Sequence, residues 1–262
     1  MTWRVWVMLM GGLLGFSPAH ADELCPRPLK VGWDEWPPFH YRGPDNRPVG
    51  TAIATVTEAA RRVGCPLDFE YFPWPRVLRY LESGDLDVGL EAMPLPSREK
   101  FVTFSTPYHR STIRLWILRD AHSPTYSDLK SLLSAGQRIG AVQDYSYGAQ
   151  ADAELAEGVR RGQVEYVRST EQNLQKLLDG RMLGFLGEEQ AVNRFLDGQP
   201  KAKPIGPMPG FALYNDASLM FSRKSVGVDL VHRFNDALEA MRQDGTLARL
   251  QEYPAPQQAA RD

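Results

Sequence analysis

Hydrophobic residues recur along the chain with two spacings, and the spacing changes from one short segment to the next. Apolar runs and every-second-residue patterns predict strands at residues 29–32, 67–71, 86–90, 112–118, 138–142, 164–167, 182–186 and 211–222. Apolar residues on one helical face predict helices at residues 51–63, 76–81, 146–157, 172–178, 228–242 and 246–253. Because the two kinds of segment alternate, the pattern predicts α/β architecture.

One junction of helix and strand occurs twice with similar sequence. Residues 81–87 and 177–183 each combine a helix end, a glycine (Gly84 or Gly180) and the start of a strand. A glycine there can take the left-handed conformation that closes a helix. The repetition favours two similar α/β lobes. Residues 206–210 read Gly-Pro-Met-Pro-Gly and predict a break before the strand at 211–222.

The first 21 residues have the pattern of a secretory signal. Arg4 precedes an apolar run over residues 5–16, and Ala19-His20-Ala21 supplies a small-x-small cleavage pattern. The run is shorter than the roughly 20 residues of a membrane-spanning helix. Because Cys25 does not directly follow the cleavage pattern, a lipoprotein is not expected. We therefore predict cleavage near Ala21 and export to the periplasm.

Charge and cysteine content narrow the possible partners. The net charge is −2, and it becomes −3 without the leader, so neither nucleic acid nor an anionic membrane surface is expected to bind. Cys25 and Cys65 each lie just before a predicted strand. If those strands are parallel neighbours, a disulfide is reachable in an oxidising compartment; two separate buried thiols are the alternative. No His lies at ligand spacing from either Cys, so no metal site is expected.

No sequence motif of an enzyme is present. The chain has no H-E-x-x-H, no G-x-G-x-x-G and no phosphate-binding P-loop, and its five histidines are scattered singly. We therefore expect no catalytic residue and no cofactor.

Aromatic and charged residues instead follow the predicted strands of the first lobe. Trp36 and Phe39 lie after the first strand, Trp74 after the second and Arg98 after the third. Ligands of open α/β sheets bind at this carboxyl edge of the strands. The aromatic rings offer flat apolar faces, and Arg98 can hold a carboxylate with two parallel hydrogen bonds. The alternatives are core packing for Trp36 and a solvated surface position for Arg98.

Taken in order, several segments resemble the bacterial extracellular solute-binding proteins of family 3, the polar amino-acid receptors of ABC transporters. They are Trp36-Pro37-Pro38-Phe39, residues 81–87, Ser97-Arg98, Phe104-Ser105-Thr106-Pro107-Tyr108, Gly140-Ala141-Val142-Gln143 with Ser146, and Met241-Arg242-Gln243-Asp244-Gly245-Thr246. Their order and spacing cover nearly all of the chain beyond the leader.

The resemblance implies a type II periplasmic-binding fold with two lobes, each a mostly parallel sheet flanked by helices. Lobe 1 would comprise residues 22–110 and 214–262, and lobe 2 residues 111–213. Two crossings near residues 109–111 and 212–216 would form the hinge. The implied partners are a small ligand and a membrane permease, and the protein is expected to be a monomer.

The resemblance also implies roles for individual residues. Arg98 would bind the ligand's α-carboxylate and Trp36 would stack on its side chain. Ser146 would offer a hydroxyl and an N–H at a helix start, where anions are favoured. Glu188 would pair with the ligand's ammonium group, or else be a solvated acid at a helix start, and Glu189 could fill either role.

The loop around Arg98 departs from the family pattern. Leu95 occupies the position of a common Thr, and the neighbouring prolines Pro94 and Pro96 have no N–H to donate. Carboxylate binding would then depend more heavily on Arg98. Glu91 in the same loop could supply a second negative charge to a cationic ligand or could be solvated.

The predicted function is capture of a small amino-acid-like ligand for an ABC importer. Two alternatives share the fold. A periplasmic enzyme similar to cyclohexadienyl dehydratase would need an acid where this chain has Ala191. A receptor that presents its ligand to a sensor would need a partner protein that one chain does not reveal.

Overall fold

A computed structural model of the protein describes residues 25–119, 124–197, 199 and 204–252. The predicted leader and its cleavage site lie outside the described residues. Strands are β1 (Leu29–Trp33), β2 (Tyr41–Arg42), β3 (Pro48–Val49), β4 (Leu67–Tyr71), β5 (Val88–Ala92), β6 (Val102–Phe104), β7 (His109–Leu118), β8 (Ile139–Val142), β9 (Val164–Val167), β10 (Gly184–Glu188), β11 (Ile205–Pro207) and β12 (Leu213–Ser222). Helices are α1 (Thr51–Val63), α2 (Trp74–Ser83), α3 (Pro96–Glu99), α4 (Leu129–Ser134), α5 (Ala149–Arg160), α6 (Thr170–Leu178), α7 (Glu189–Asp197), α8 (Val228–Gln243) and α9 (Thr246–Gln251).

Within the described residues, ten strands form one mixed sheet, in which eight follow the order β4-β1-β5-β12-β7-β10-β8-β9, while β6 pairs with β12 and β11 with β7. Strands β2 and β3 form a separate two-stranded sheet. The sets β4-β1-β5 and β10-β8-β9 are parallel, whereas the two long central strands, β12 and β7, are antiparallel to each other. The predicted α/β fold is therefore confirmed as two lobes, each with a parallel core, joined where the chain crosses between them in β7 and β12. Across the described residues no helix is both long and apolar enough to cross a bilayer.

Each lobe buries its own hydrophobic core on both faces of its sheet. In lobe 1, adjacent residues of β12 serve opposite faces: Phe221 packs with α1 and α8, and Met220 packs with α2. In lobe 2, Leu115 and Trp116 of β7 divide in the same way between α4–α5 and α6. Because β7 and β12 pass from one core to the other, the division at residues 110 and 213 stays a prediction.

A disulfide joins Cys25 and Cys65, whose Cα atoms are 5.4 Å apart. Strands β1 and β4 are parallel neighbours, with Leu29 opposite Leu67, so the chain enters both from the same edge of the sheet. The predicted Cys25–Cys65 disulfide is therefore confirmed, and it forms because the two strands that follow the cysteines are parallel neighbours.

Two predicted elements needed correction. The helix expected from residue 146 begins at Ala149, because Gly148 has φ 103° and the Asp152 carboxylate accepts the Tyr147 N–H at 2.8 Å, which holds the chain in a turn. The break expected at residues 206–210 begins with strand β11, which pairs with the edge of β7 despite its glycine and proline.

The aspartate that ends the segment 81–87 is buried and pairs with Arg27, whose side chain is half exposed. Asp87 is fully buried, and its carboxylate accepts two hydrogen bonds from Arg27, at 2.6 and 2.8 Å, and one from the Lys30 N–H at 2.8 Å. Although burial opposes ionisation, these bonds together hold the pKa of Asp87 below its usual value. The Arg27–Asp87 pair therefore holds the start of β1 next to the start of β5.

Asp87→Ala should lower the free energy of unfolding by about 3 kcal/mol, because it removes a buried acceptor that three donors share. Asp85→Ala is the matched control, since Asp85 is exposed two residues away, and should change stability by less than about 0.5 kcal/mol. Urea unfolding at pH 7 measures both. Equal effects of the two substitutions would contradict a special role for the buried carboxylate.

Candidate ligand-binding site

A cavity lies between the lobes, at the carboxyl ends of β1, β5 and β10 and beside the two crossing strands. Its walls include Asp34, Trp36, His40, Trp74, Leu90, Glu91, Met93, Arg98, Ser111, Ile113, Val142, Asp144, Tyr145, Ser146, Tyr147, Thr170, Leu186, Gly187, Glu188, Ala191, Val192, Asn215, Asp216 and Ala217. Every predicted binding residue except Phe39 is among them. The cavity therefore brings together predicted binding residues that lie up to 152 positions apart in the chain, from Trp36 to Glu188.

Phe39 lies beneath the cavity and is not part of its wall. It is 1% exposed and packs in the core of lobe 1, with its ring 4.9 Å from those of Trp36 and His109. A tight turn separates the two aromatics: the Trp36 N–H donates to the His40 carbonyl at 2.8 Å, and the Phe39 N–H donates to the Trp36 carbonyl at 3.0 Å. The turn directs Trp36 into the cleft and Phe39 into the core.

Trp36 meets Tyr145 across the cleft, with ring centroids 5.4 Å apart. One ring comes from each lobe, and both border the inner cavity and a second cavity further out. Trp74, at the first position of α2, also borders both. The outer cavity adds Tyr71, Phe195 and three prolines to these rings. The rings of Trp36 and Tyr145 thus lie between the two cavities of the cleft.

Arg98 is a buried cation without an acidic partner. Arg98 is 8% exposed, and its Nη1 donates a hydrogen bond to the Met93 carbonyl at 3.2 Å. The guanidinium carbon lies 5.4 Å from the centre of the Trp74 ring. Among the described residues no carboxylate lies within 4.0 Å of it; burial lowers the pKa of Arg98, which the more distant Asp152 partly offsets. Most of its five donors therefore stay available to an anion in the cavity.

Ser146 lines the cavity from the loop before α5, not from a helix start as expected. Its hydroxyl donates to the Asp152 carboxylate and accepts the Gly148 N–H at 3.3 Å. Met93 of lobe 1 lies 3.7 Å from the same hydroxyl. Ser146 is therefore occupied in holding its own loop, and it forms a contact between the lobes.

Glu91 is not solvated. It is the last residue but one of β5 and has φ 46°, a left-handed conformation that is unusual away from glycine. Its N–H donates to the Tyr108 hydroxyl at 3.0 Å, and its carboxylate, 2% exposed, lies 3.0 Å from Nδ1 of His109. The second negative charge expected in this loop is thus present in the cavity wall but is already paired.

Glu188 ends β10 with its carboxyl group turned into the interior. The residue is 5% exposed, and one carboxyl oxygen accepts the Ala191 N–H at 2.7 Å. Burial raises the pKa of Glu188 to about 7, and Glu91 adds to this, while the Ala191 N–H and His109 oppose it. Glu189 instead pairs with Arg114 at 3.2 Å. Of the two adjacent acids, Glu188 is the one that borders the cavity.

Asp34 is a wall residue that the sequence analysis missed. It borders both the inner and the outer cavity, and its carboxylate lies 3.4 Å from Nδ1 of His40. Burial raises the pKa of Asp34, although His40 opposes the shift. Its position directly after β1 was the available signal, since Trp36 was identified from the same segment. Tyr145 carried no comparable signal, because its role depends on contact with the other lobe.

The cavity wall combines the cation Arg98 of lobe 1 with acids of both lobes, among them Asp34 and Glu91 of lobe 1 and Glu188 of lobe 2. A free guanidinium lies on lobe 1 at Arg98 and a buried carboxyl group on lobe 2 at Glu188, with aromatic rings beside them. Such a site can hold a small ligand that carries an anionic and a cationic group. No set of side chains suited to a metal ion occurs in the described ranges.

Comparison with known proteins gives the same picture. Residues 29–253 match the model of the bacterial extracellular solute-binding proteins, family 3. The chain is 25% identical over 251 residues to a probable amino-acid ABC transporter-binding protein of Haemophilus influenzae, covering 92% of each chain. It is 27% identical over 228 residues to the L-cystine-binding protein TcyJ of Escherichia coli, covering 86% of this chain and 81% of the relative.

Solved structures share the fold at lower sequence identity. A histidine kinase sensor domain with similarity to periplasmic binding proteins superposes with a TM-score of 0.72 at 18% identity, covering 86% of this chain and 94% of the other. The ancestral amino acid-binding protein AncCDT-1, a precursor of cyclohexadienyl dehydratase, gives 0.67 at 18% identity, covering 86% and 93%. At this identity the likeness establishes the periplasmic-binding-protein fold alone.

Glu188→Gln should stabilise the protein at high pH. With a pKa near 7 in the folded state and 4.5 in the unfolded state, Glu188 makes the free energy of unfolding fall as pH rises from about 4.5 to 7. The variant should therefore gain roughly 1–3 kcal/mol over the wild type at pH 8 compared with pH 5. Urea unfolding at the two pH values measures this gain, and Glu189→Gln, beside it but paired with Arg114, should show none.

Proposed function

The chain belongs to the bacterial extracellular solute-binding proteins, family 3, and from that premise we propose that it is an exported receptor. It captures one small amino-acid-like ligand between its lobes and delivers it to the permease of an ABC importer. The observation that carries the proposal is the unpaired buried guanidinium of Arg98, which shares its cavity with the buried carboxyl group of Glu188.

The charges of Arg98 and Glu188 would orient the ligand in the cavity. A carboxylate beside Arg98 gains charge-assisted hydrogen bonds from donors that have no other acidic partner. An ammonium group beside Glu188 compensates a carboxylate that is otherwise costly to ionise in the interior. The rings of Trp36 and Tyr145 cover the part of the ligand between or beyond these groups. A free amino acid has this combination of charges.

Closure of the lobes is part of the proposed mechanism. Lobe 1 supplies Arg98 and Trp36, lobe 2 supplies Glu188 and Tyr145, and a ligand that touches all four favours the state in which they are close. The movement is a bend of β7 and β12, the two strands that connect the lobes. These contacts exist in full only when the lobes are together, so the ligand's differential affinity drives closure.

Catalysis on the same fold has less support. The relatives named above are binding proteins, and the position where the dehydratase-like alternative requires an acid is Ala191, whose N–H instead donates to Glu188. Glu189, the next candidate, faces Arg114. We propose a binding protein and not an enzyme.

Incubation with prephenate or arogenate tests this choice. No turnover above the rate in buffer is expected, since no acid stands at position 191 to protonate a leaving group. Product formation that disappears in Glu188→Gln would overturn the proposal of a non-catalytic receptor.

Presentation of the ligand to a sensor is the remaining alternative, and a sensor domain does share the fold. Reconstitution with a candidate permease and its ATPase in proteoliposomes discriminates the two. Ligand-dependent uptake and ATP hydrolysis support import. A receptor that binds its ligand but never stimulates the transporter would favour the sensor.

Arg98→Ala should abolish binding of the ligand that a thermal-shift screen of free amino acids identifies. A ligand at about 100 times its dissociation constant adds about 2.7 kcal/mol of stability, which such a screen detects. Loss of a buried charge partner should weaken binding by about 2–5 kcal/mol in calorimetry. Lys100→Ala, an exposed cation two residues away, is the control and should bind as the wild type does. Unchanged affinity in Arg98→Ala would exclude the carboxylate role.

A further inference from the structure

Two buried ionisable side chains, Glu91 and His109, are in contact where the lobes join, and the buried Glu188 interacts electrostatically with both. Glu91 comes from the end of β5 in lobe 1, His109 is the first residue of the crossing strand β7, and Glu188 comes from the end of β10 in lobe 2. Nδ1 of His109 lies 3.0 Å from the Glu91 carboxylate, and the two side chains are 9% and 2% exposed. His109 also interacts electrostatically with Glu188, as does Glu91. We call these three residues the hinge cluster.

Two nearby ion pairs are made outside the hinge cluster, while Asp34, Arg98 and Asp144 line the same cavity as Glu91 and Glu188. On the crossing strands, Arg110 pairs with Asp216 at 3.4 Å on an exposed surface. Behind Glu188, Arg114 pairs with Glu189. Arg98 lies in the same cavity wall, but it makes no ion pair within 4.0 Å to any described residue. His109 is therefore the cation that directly neutralises the acids of the cluster in the described part of the chain.

The remaining neighbours of His109 are neutral. The Phe39 ring packs at 4.9 Å, and Tyr108 bonds through its hydroxyl to the Glu91 N–H. The second ring nitrogen, Nε2, is buried without a hydrogen-bond partner among the described residues. Glu91 is thus the group that orients the ring. Although burial alone would lower it, the hydrogen bond and charge of Glu91 raise the pKa of His109.

We propose that His109 is a specificity-determining residue that sets the net charge of the cation-binding end of the cavity. As an imidazolium it cancels Glu91, which leaves Glu188 as the acid of the hinge cluster that a cationic group of the ligand can compensate. This inference rests on the proposed function and refines it: the hinge cluster selects ligands with one cationic group over ligands with two. His109 acts as a positioning residue through Glu91 and Glu188.

Replacing His109 and replacing Glu91 should change the net charge of the hinge cluster in opposite directions. His109→Gln keeps a donor for Glu91 but removes the positive charge, so the cluster gains one negative charge. Glu91→Gln keeps an acceptor but removes a negative charge. The ratio of lysine affinity to glutamine affinity should rise about tenfold or more in the first variant and fall in the second, as expected for a unit charge in a partly buried site.

Calorimetry with lysine and glutamine on the two variants measures these ratios. His232→Gln is the matched control, because His232 is an exposed histidine of α8, and it should leave the ratio unchanged. An unchanged ratio in His109→Gln, or shifts of the same sign in both cluster variants, would overturn the inference.

The charge of His109 can be measured without a ligand. Imidazole resonances of the free wild-type protein should show His109, assigned by its absence in His109→Gln, titrating above the ordinary value of 6.5, and titrating lower in Glu91→Gln. Titration below 6.5 in the wild type would overturn the inference, whatever the protein binds. Failure of the wild type to bind any amino acid, with His109 charged as expected, would instead contradict the proposed function while the charge assignment stands.

Discussion

The antiparallel pairing of β7 with β12 is the constraint on which the molecule depends. These strands pair from Leu213 opposite Ile113 to Ala217 opposite His109, and they make the sheets of both lobes continuous. The pairing brings the carboxyl edges of the two parallel sets to face each other, so that β1, β5 and β10 end on one cavity. It also places His109 between an acid of each lobe. In the closure proposed above, two hydrogen-bonded strands would keep the lobes aligned, because bending need not break the ladder.

The stabilising and the functional charges of this protein are distributed differently. At the far edge of lobe 1, the Asp87 carboxylate accepts hydrogen bonds from the Arg27 side chain and the Lys30 N–H, and these bonds support the fold. In the cavity, Arg98 has one carbonyl partner, and Glu188 is held in surroundings that favour its neutral form. Buried groups of this kind reduce stability in the free protein, because the interior compensates charge poorly without a partner. The site is therefore ready for a ligand whose own charges complete it.

Much of the fold follows from local signals in the sequence. The alternating periods predicted the strands and helices, and the parallel entry of β1 and β4 made the Cys25–Cys65 bridge reachable. The errors occurred where one specific turn or side-chain contact decides. The start of α5 is displaced because Asp152 reaches back to the turn before it, and Phe39 turns into the core because a short hairpin inverts its direction relative to Trp36. The partner of Glu91 was not predictable, since His109 lies eighteen residues later on another strand.

Trp36 and Tyr145 form a partition in the cleft, and they connect the size of the ligand to the distance between the lobes. Each lobe contributes one ring, so under the closure proposed above a molecule too long for the inner cavity would keep the rings apart. A partner protein that binds only the closed form would then discriminate between ligands of different length without contacting them. In the proposed receptor, the length of the ligand would therefore change the separation of the lobes, and with it the outer surface of the protein.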